Sequence, residues 1–251
     1  MIRMSGKVEK VNPKFLTRVF DIPFGNFSKL EGRENMWVKI VDYFVNNMDT
    51  YLQALREHIV ISVLALLIAA VIGIGCGWWC VCHRRYEKWF NGFFQVLRII
   101  PSLAVLILLI PIMGTGTKPA MTALVLLAIP PILMNTVTGF ETVPAFLIET
   151  AQALGMTDRQ MLLRVKIPQA LPLILTGVKT AMVEIIASAT LAAYIGGGGL
   201  GTIIFTGLGL NRLDLLLIGG VSVAVLSIAS GALLTLADRW LLRYKYAARA
   251  R

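Results

Sequence analysis

Charge is scarce in this chain: 15% of its 251 residues are Asp, Glu, Lys or Arg, against 57% that are hydrophobic. About a quarter of an ordinary soluble domain is charged, so the composition speaks against one and points to a membrane protein. Histidine and cysteine are scarcer still, with two and three copies. Cys76, Cys80 and Cys82 lie beside His83. No second ligand cluster exists elsewhere, since His58 is the other histidine, so the group reads as small hydrophobes rather than a metal site. A disulfide framework is missing as well.

The signatures of several chemistries are also lacking. No G-x-x-x-x-G-K-[ST] occurs, and residues 114–118 do not fit its spacing, so the chain has no P-loop with which to cradle ATP phosphates. Neither H-E-x-x-H nor G-x-S-x-G is present, which leaves an intramembrane enzyme without support. Gly196, Gly198 and Gly201 satisfy G-x-G-x-x-G by letter, but no strand precedes them and no β-α-β unit surrounds them. Residues 1–35 are polar and basic without an apolar core, so they are not a cleavable signal peptide. An organised pattern starts at Met36, which is the expected natural start. Acidic residues are few, 14 against 24 basic, for a net charge of +10. In a soluble protein that excess would suggest nucleic acid; in a membrane protein it collects on the cytoplasmic side, and no nucleic-acid partner is expected.

Long apolar runs are what the chain has. Residues 59–81 carry no charge and as a helix extend about 34 Å, enough for a hydrocarbon core. Residues 93–113, 120–139, 172–195 and 215–237 give four more spans, and Gly73, Gly75 and Gly77 permit close helix approach in the first. Before them, residues 36–57 read as an interfacial amphipathic helix: Trp37, Ile40, Val41, Phe44, Val45, Met48, Tyr51, Leu52 and Leu55 form one face and Lys39, Asp42, Asn46, Asn47, Asp49, Gln53 and Arg56 belong to the other. The same stripe could instead pack on neighbouring helices. Basic residues set the orientation. Arg84, Arg85, Lys88, Arg159, Arg164, Lys166 and the tail of residues 240–251 lie in one set of connections, while the opposite set holds Lys118 and Arg212, with Lys39 and Arg56 near the first span. This bias predicts a cytoplasmic C-terminus and, with five spans, an external N-terminus.

Polar residues inside the spans stand out against this background. Pro101, Pro111, Pro130 and Pro131 each remove a backbone donor and predict broken helices that face a pathway or a packed interface. Thr180, Glu184 and Ser188 follow at i, i+4 spacing along the fourth span, with Glu184 near mid-bilayer. An acid there needs a partner, a proton or a water-lined surface. Ser188, Arg98 and Lys179 are candidate partners, and a counter-charge to a cationic substrate is the alternative. Ser102 and Asn135 join these as candidate pathway residues. Gly196, Gly197, Gly198, Gly199 and Gly201 predict a tight reversal at the outer end of this span.

The polar insert at 149–168, ETAQALGMTDRQMLLRVKIP, is the part built to meet water. Pro144 suits a first helical position, Leu147, Ala151 and Leu154 share a face, and Gly155 suits a C-terminal cap. Thr157 and Gln160 have capping-box spacing, and Pro168 predicts the end of a second short helix. A helix, a glycine turn and a helix also describe a DNA-binding unit. This one is wedged between membrane spans rather than set in a soluble three-helix domain.

The insert resembles the cytoplasmic coupling loop of ABC importer permeases, E-A-A, three residues, Gly, nine residues, I-x-L-P: Glu149, Ala151, Gly155, Val165, Ile167 and Pro168 fall at matching positions, with Thr150 for the central Ala. The strings IPSLAVL at 100–106, PPILMNT at 130–136 and ATLAAYIGGGGLG at 189–201 resemble the permeases of importers for glycine betaine, carnitine and choline. The resemblance covers residues 59–239 and implies an all-α, five-span type I (MetI-like) ABC importer permease of the bacterial inner membrane. It implies further that two permease subunits enclose a pathway and that separate ATPase subunits, which carry the ATP and Mg, dock on the coupling helices. Ala151, Ala153 and Gly155 are small enough to seat in a groove there. An extracytoplasmic binding protein is implied to deliver the solute. The glycine-rich string also suits an amino-acid permease such as the methionine type. A secondary transporter is the reading from another class, with Glu184 as its ion-coupling acid.

Overall fold

A computed structural model describes residues 33–242. The described residues are helical almost throughout, and no strand occurs among them. Nearly all of the extension 1–35, and the tail beyond residue 242, lie outside them.

The first helix, α1, runs Arg33–Cys82. The interfacial segment and the first span are thus one helical run, bent at Asn47, whose φ of −132° and ψ of 25° are not helical. Just before the bend, the Asn46 amide donates to the Asp42 carboxylate at 2.7 Å. The amphipathic stripe divides: Ile40, Tyr43, Phe44, Tyr51 and Leu55 pack on other helices, whereas Trp37, Val41, Val45, Met48 and Leu52 stay exposed. The packing reading holds for the first set of residues.

The expected second span is two helices, α2 (Arg84–Ile99) and α3 (Ser102–Met113). Pro101 breaks them apart. It has no N–H to continue the ladder, and it forces Ile100 into extended backbone with ψ 124°. Alone, α3 is about 18 Å long, short of a hydrocarbon core. Next come α4 (Thr117–Glu141), α5 (Ala145–Ala153) and α6 (Asp158–Met161), then a π-helical turn, Leu162–Lys166, that feeds directly into α7 (Ile167–Ala192). A 3-10 turn and a glycine reversal lead to the half-length helix α8 (Leu200–Gly209) and then to α9 (Leu213–Leu241). Among the described residues four helical runs are long and apolar enough to cross a membrane: Met36–Cys82, Thr117–Glu141, Asp158–Ile195 and Leu213–Leu241.

The core lies where α1, α4 and α7 meet, around Ala65, Ala69, Leu124, Ile132, Leu133, Ile185 and Ile186. Small residues bring the backbones together, as in other membrane bundles. A Cβ on Gly73 would sit 2.9 Å from Ile132, and one on Gly77 would sit 2.8 Å from Thr136, while Gly75 faces open space. At the outside of the bundle α9 keeps Val221, Val225, Ile228, Leu233 and Leu236 exposed, a surface suited to lipid. A second cluster, Ala54, Leu200, Ile203, Leu215 and Ile218, joins α8 and α9 to α1.

Candidate functional site

Three places carry the residues singled out in the sequence, and α4 separates two of them. One end of α4 adjoins the glycine reversal, where the Gly116 N–H donates to the Ile195 carbonyl at 2.7 Å. Its other end leads through Pro144 into the elbow.

The elbow is built by local rules. Pro144 is the residue before α5 rather than its first helical position, with ψ 132°. Helix α5 closes with Met156 N–H on the Ala151 carbonyl at 3.1 Å and Gly155 N–H on the Gln152 carbonyl at 2.9 Å. Gly155 takes φ +72°, a left-handed conformation that glycine adopts without Cβ strain. Thr157 then caps α6: its hydroxyl accepts from Gln160 N–H at 3.3 Å, and the Gln160 side chain accepts from Thr157 N–H at 3.0 Å. Leu154 does not share the inward face with Ala151. Helix α5 has ended by then, and Leu154 swings out to 72% exposure while Ala151 is buried in the subunit itself. Phe146, Ala153 and Gly155 are exposed beside it, as is Glu149; Val165, Ile167 and Pro168 are half-buried.

Pro168 does not end the second helix. The π turn shifts the ladder by one residue, so that Ile167 N–H reaches the Leu162 carbonyl, and the run continues into α7 with Pro168 in its first turn. A proline tolerates the first turn because its missing N–H is not required there. The elbow and the fourth span therefore form one continuous arm, Asp158–Ile195.

Nearer the reversal end of that arm, Glu184 faces a cleft of about 330 Å³ lined by Arg98, Ile99, Ile100, Pro101, Ser102, Leu127, Ala187 and Ser188 as well. Of the six candidate pathway residues, Pro101, Ser102, Glu184 and Ser188 meet here. Asn135 and Thr180 do not line the cleft: the Asn135 amide donates to the Pro131 carbonyl at 2.8 Å and the Thr180 hydroxyl to the Thr176 carbonyl at 3.0 Å, each bond within its own helix. Leu127 is a residue the sequence reading missed. Pro131 denies its carbonyl the usual helical donor, a signal the proline pair did carry. Of the two basic partners considered for Glu184, the structure selects Arg98, with Nη2 3.4 Å from Oε1. Lys179 is taken by Asp238 of α9 at 2.7 Å.

At the far end, Gly196, Gly198 and Gly199 all have positive φ, as a tight reversal requires. The Gly199 N–H donates to the Glu57 carboxylate at 3.1 Å, and the buried His58 donates from Nε2 to the Ile186 carbonyl at 3.2 Å. Gly201 is pressed onto α7, since a Cβ there would lie 2.1 Å from the Thr190 carbonyl oxygen. Glu57 and His58 are thus clamps on the reversal that the sequence did not disclose. A cleft of about 430 Å³, lined by Glu57, Thr117, Gly196, Gly197 and Gly198 among others, opens beside it. Among the described residues no group of three or more His, Cys, Asp or Glu could hold a metal ion.

Residues 53–243 match the family described as "Binding-protein-dependent transport system inner membrane component", a stretch that includes the elbow, the cleft and the reversal. The chain belongs to this family. Among curated relatives, this inner-membrane transport component is 39% identical over 189 residues to the carnitine transport permease protein OpuCB of Listeria monocytogenes, covering 75% of this chain and 87% of that one. It is 35% identical over 200 residues to the choline transport system permease protein OpuBB of Bacillus subtilis (strain 168), covering 80% and 92%. Its fold resembles that in an inward-facing structure of the MetNI methionine ABC transporter, with a TM-score of 0.66, 21% identity, and coverage of 78% of this chain and 96% of that one. At that identity the likeness speaks to fold. The chain is therefore an inner-membrane component of a binding-protein-dependent transport system, a multi-pass membrane protein whose fold is the one seen in an ABC importer permease.

Proposed function

We propose that this permease forms the pathway for a small osmoprotectant of the quaternary ammonium class, and that separate ATPase subunits drive it through the elbow. The observation that carries the coupling role is mechanical. An exposed knob of Phe146, Ala153, Leu154 and Gly155 adjoins a helical arm of 38 residues, about 57 Å long, which reaches Glu184 and ends at the glycine reversal. A push on such an elbow moves the cleft and the reversal together, which a flexible loop would not do. In this reading the elbow and the C-terminus are cytoplasmic, as the basic residues of the sequence argue, and the N-terminus and the reversal face outward. A second permease subunit completes the pathway, ATP and Mg reside on the ATPase pair, and a binding protein delivers solute to the outer face.

The solute class rests on the names of the relatives and on the acidic group in the cleft. Glu184 offers a carboxylate within a span, where an unpaired charge costs roughly 2.5–3.5 kcal/mol and is retained facing water or a partner. An amino-acid cargo has the fold likeness and the glycine-rich string behind it, but neither curated relative named above is called an amino-acid permease. The test is ATPase stimulation of the reconstituted complex, with its binding protein, across a panel of quaternary ammonium compounds and amino acids. Stimulation by the quaternary compounds is expected. Stimulation by amino acids alone overturns the solute class, and uptake that persists without any ATPase overturns the coupling.

A further inference from the structure

The contact between Arg98 and Glu184 is an unusual one to leave inside a membrane protein. A guanidinium and a carboxylate can form two parallel hydrogen bonds of about 2.7–2.9 Å; here the pair makes a single contact of 3.4 Å, with the two side chains 43% and 37% exposed. Such a long, half-covered contact is a loose one and contributes little stability. Both groups stand on the wall of one cleft, and they come from different bodies: Arg98 from the last turn of α2, just before the Pro101 break, and Glu184 from the middle of α7. The nearest other basic residue on the arm, Lys179, is already held by Asp238. The cleft is thus neutral overall, with one positive and one negative pole, hydroxyls at Ser102 and Ser188, and apolar wall at Ile100 and Leu127.

We propose that Arg98 and Glu184 form a tethered ion pair that a zwitterionic quaternary ammonium solute replaces, its carboxylate going to Arg98 and its ammonium group to Glu184, so that the cleft prefers zwitterions to simple cations. This deepens the pathway reading above and rests on it. The argument is charge balance. A zwitterion gives each pole a new partner and leaves the cleft neutral, while its methyl groups meet the apolar wall. A simple cation that takes Glu184 leaves Arg98 unpaired and adds net positive charge within a membrane span, which is costly.

The test uses the complete importer, reconstituted with its ATPase and binding protein, and compares maximal uptake of glycine betaine with that of choline, which keeps the ammonium group but has a hydroxyl in place of the carboxylate. Arg98→Gln is expected to shift the betaine-to-choline ratio about tenfold toward choline, the scale of one charged hydrogen bond. Glu184→Gln is expected to slow both solutes. The double exchange Arg98→Glu with Glu184→Arg keeps both poles and is expected to return the ratio to near the wild-type value. A ratio does not depend on how much protein inserts, so partial loss of folding does not mask the result. A ratio unmoved by Arg98→Gln, or one left choline-shifted by the double exchange, overturns the proposal while the pathway reading survives. A wild-type importer that assembles but carries neither solute overturns the pathway reading, and this proposal with it.

Discussion

Pro101 and Pro168 each stand near the start of a helix that lines or leads to the cleft, yet only one of them breaks the chain. At Pro101 the ladder stops, Ile100 goes extended, and α2 and α3 become separate bodies. At Pro168 a π turn has already moved the ladder by one residue, and a single arm runs from Asp158 to Ile195. The difference lies in the register upstream of each proline rather than in the proline. It yields one stiff arm and one jointed arm, which meet at Glu184 and Arg98. An importer needs both kinds of part, one to carry a displacement across the membrane and one to let the pathway change shape around it.

The contrast breaks most severely if the stiff arm loses its seat. A Cβ on Gly177 would lie 2.8 Å from the Asn135 Cβ and 2.9 Å from the Pro131 carbonyl oxygen, and neither can give way within α4. Gly177→Leu is expected to cost several kcal/mol, at or beyond the usual 1–3 kcal/mol of overpacking. Folded protein recovered in detergent should fall to near background; recovery equal to wild type would mean that α4 and α7 are not packed this closely. Gly155→Asp comes next. At φ +72° a side chain costs about 1–2 kcal/mol, and nothing lies within 4 Å of the added Cβ, so the damage should stay in the elbow. Membrane insertion should persist while solute uptake falls roughly tenfold; normal uptake by the variant counts against the docking role.

The jointed arm gives a smaller effect. Pro101→Ala restores the missing N–H and releases Ile100 from its restriction. Uptake is expected to fall several-fold with the protein as stable as before or more so. If helix-break geometry at this point were incidental, thermal stability would rise and transport would not change.

Much of this was legible in the sequence wherever the cause is local. The caps at Gly155 and Thr157 depend on a few neighbouring residues, and four of the five expected spans on composition, so these stand where the pattern put them, while the second span is broken at Pro101. The prolines were not legible in the same way. Pro111, Pro130, Pro131, Pro168 and Pro172 all lie inside helices, and Pro101 alone of this group ends one. Ladder register and packing decide that, and neither is written in the proline's own neighbourhood. The partner of Glu184 was likewise undecidable between Arg98 and Lys179, because the deciding residue, Asp238, lies on another helix far along the chain. Helix α8 went unseen because its apolar run is too short to cross a membrane and hides between a glycine reversal and the last span.

Pro168→Ala is the smallest of the expected effects and the sharpest check on the comparison. In the π turn, Ile167 N–H already serves the Leu162 carbonyl, and Pro168 occupies a position where its lack of an N–H costs little. Alanine supplies a donor that the shifted ladder does not need, and it frees the chain slightly in the unfolded state, a change of about 0.4–1 kcal/mol. Uptake within about twofold of wild type is therefore expected, against the several-fold loss at Pro101. If instead Pro168→Ala lowers transport as much as Pro101→Ala does, the proline itself holds the π turn, by keeping the ladder from slipping back to α-helical register. The arm would then be stiff only while that turn persists, and the joint would belong to both arms.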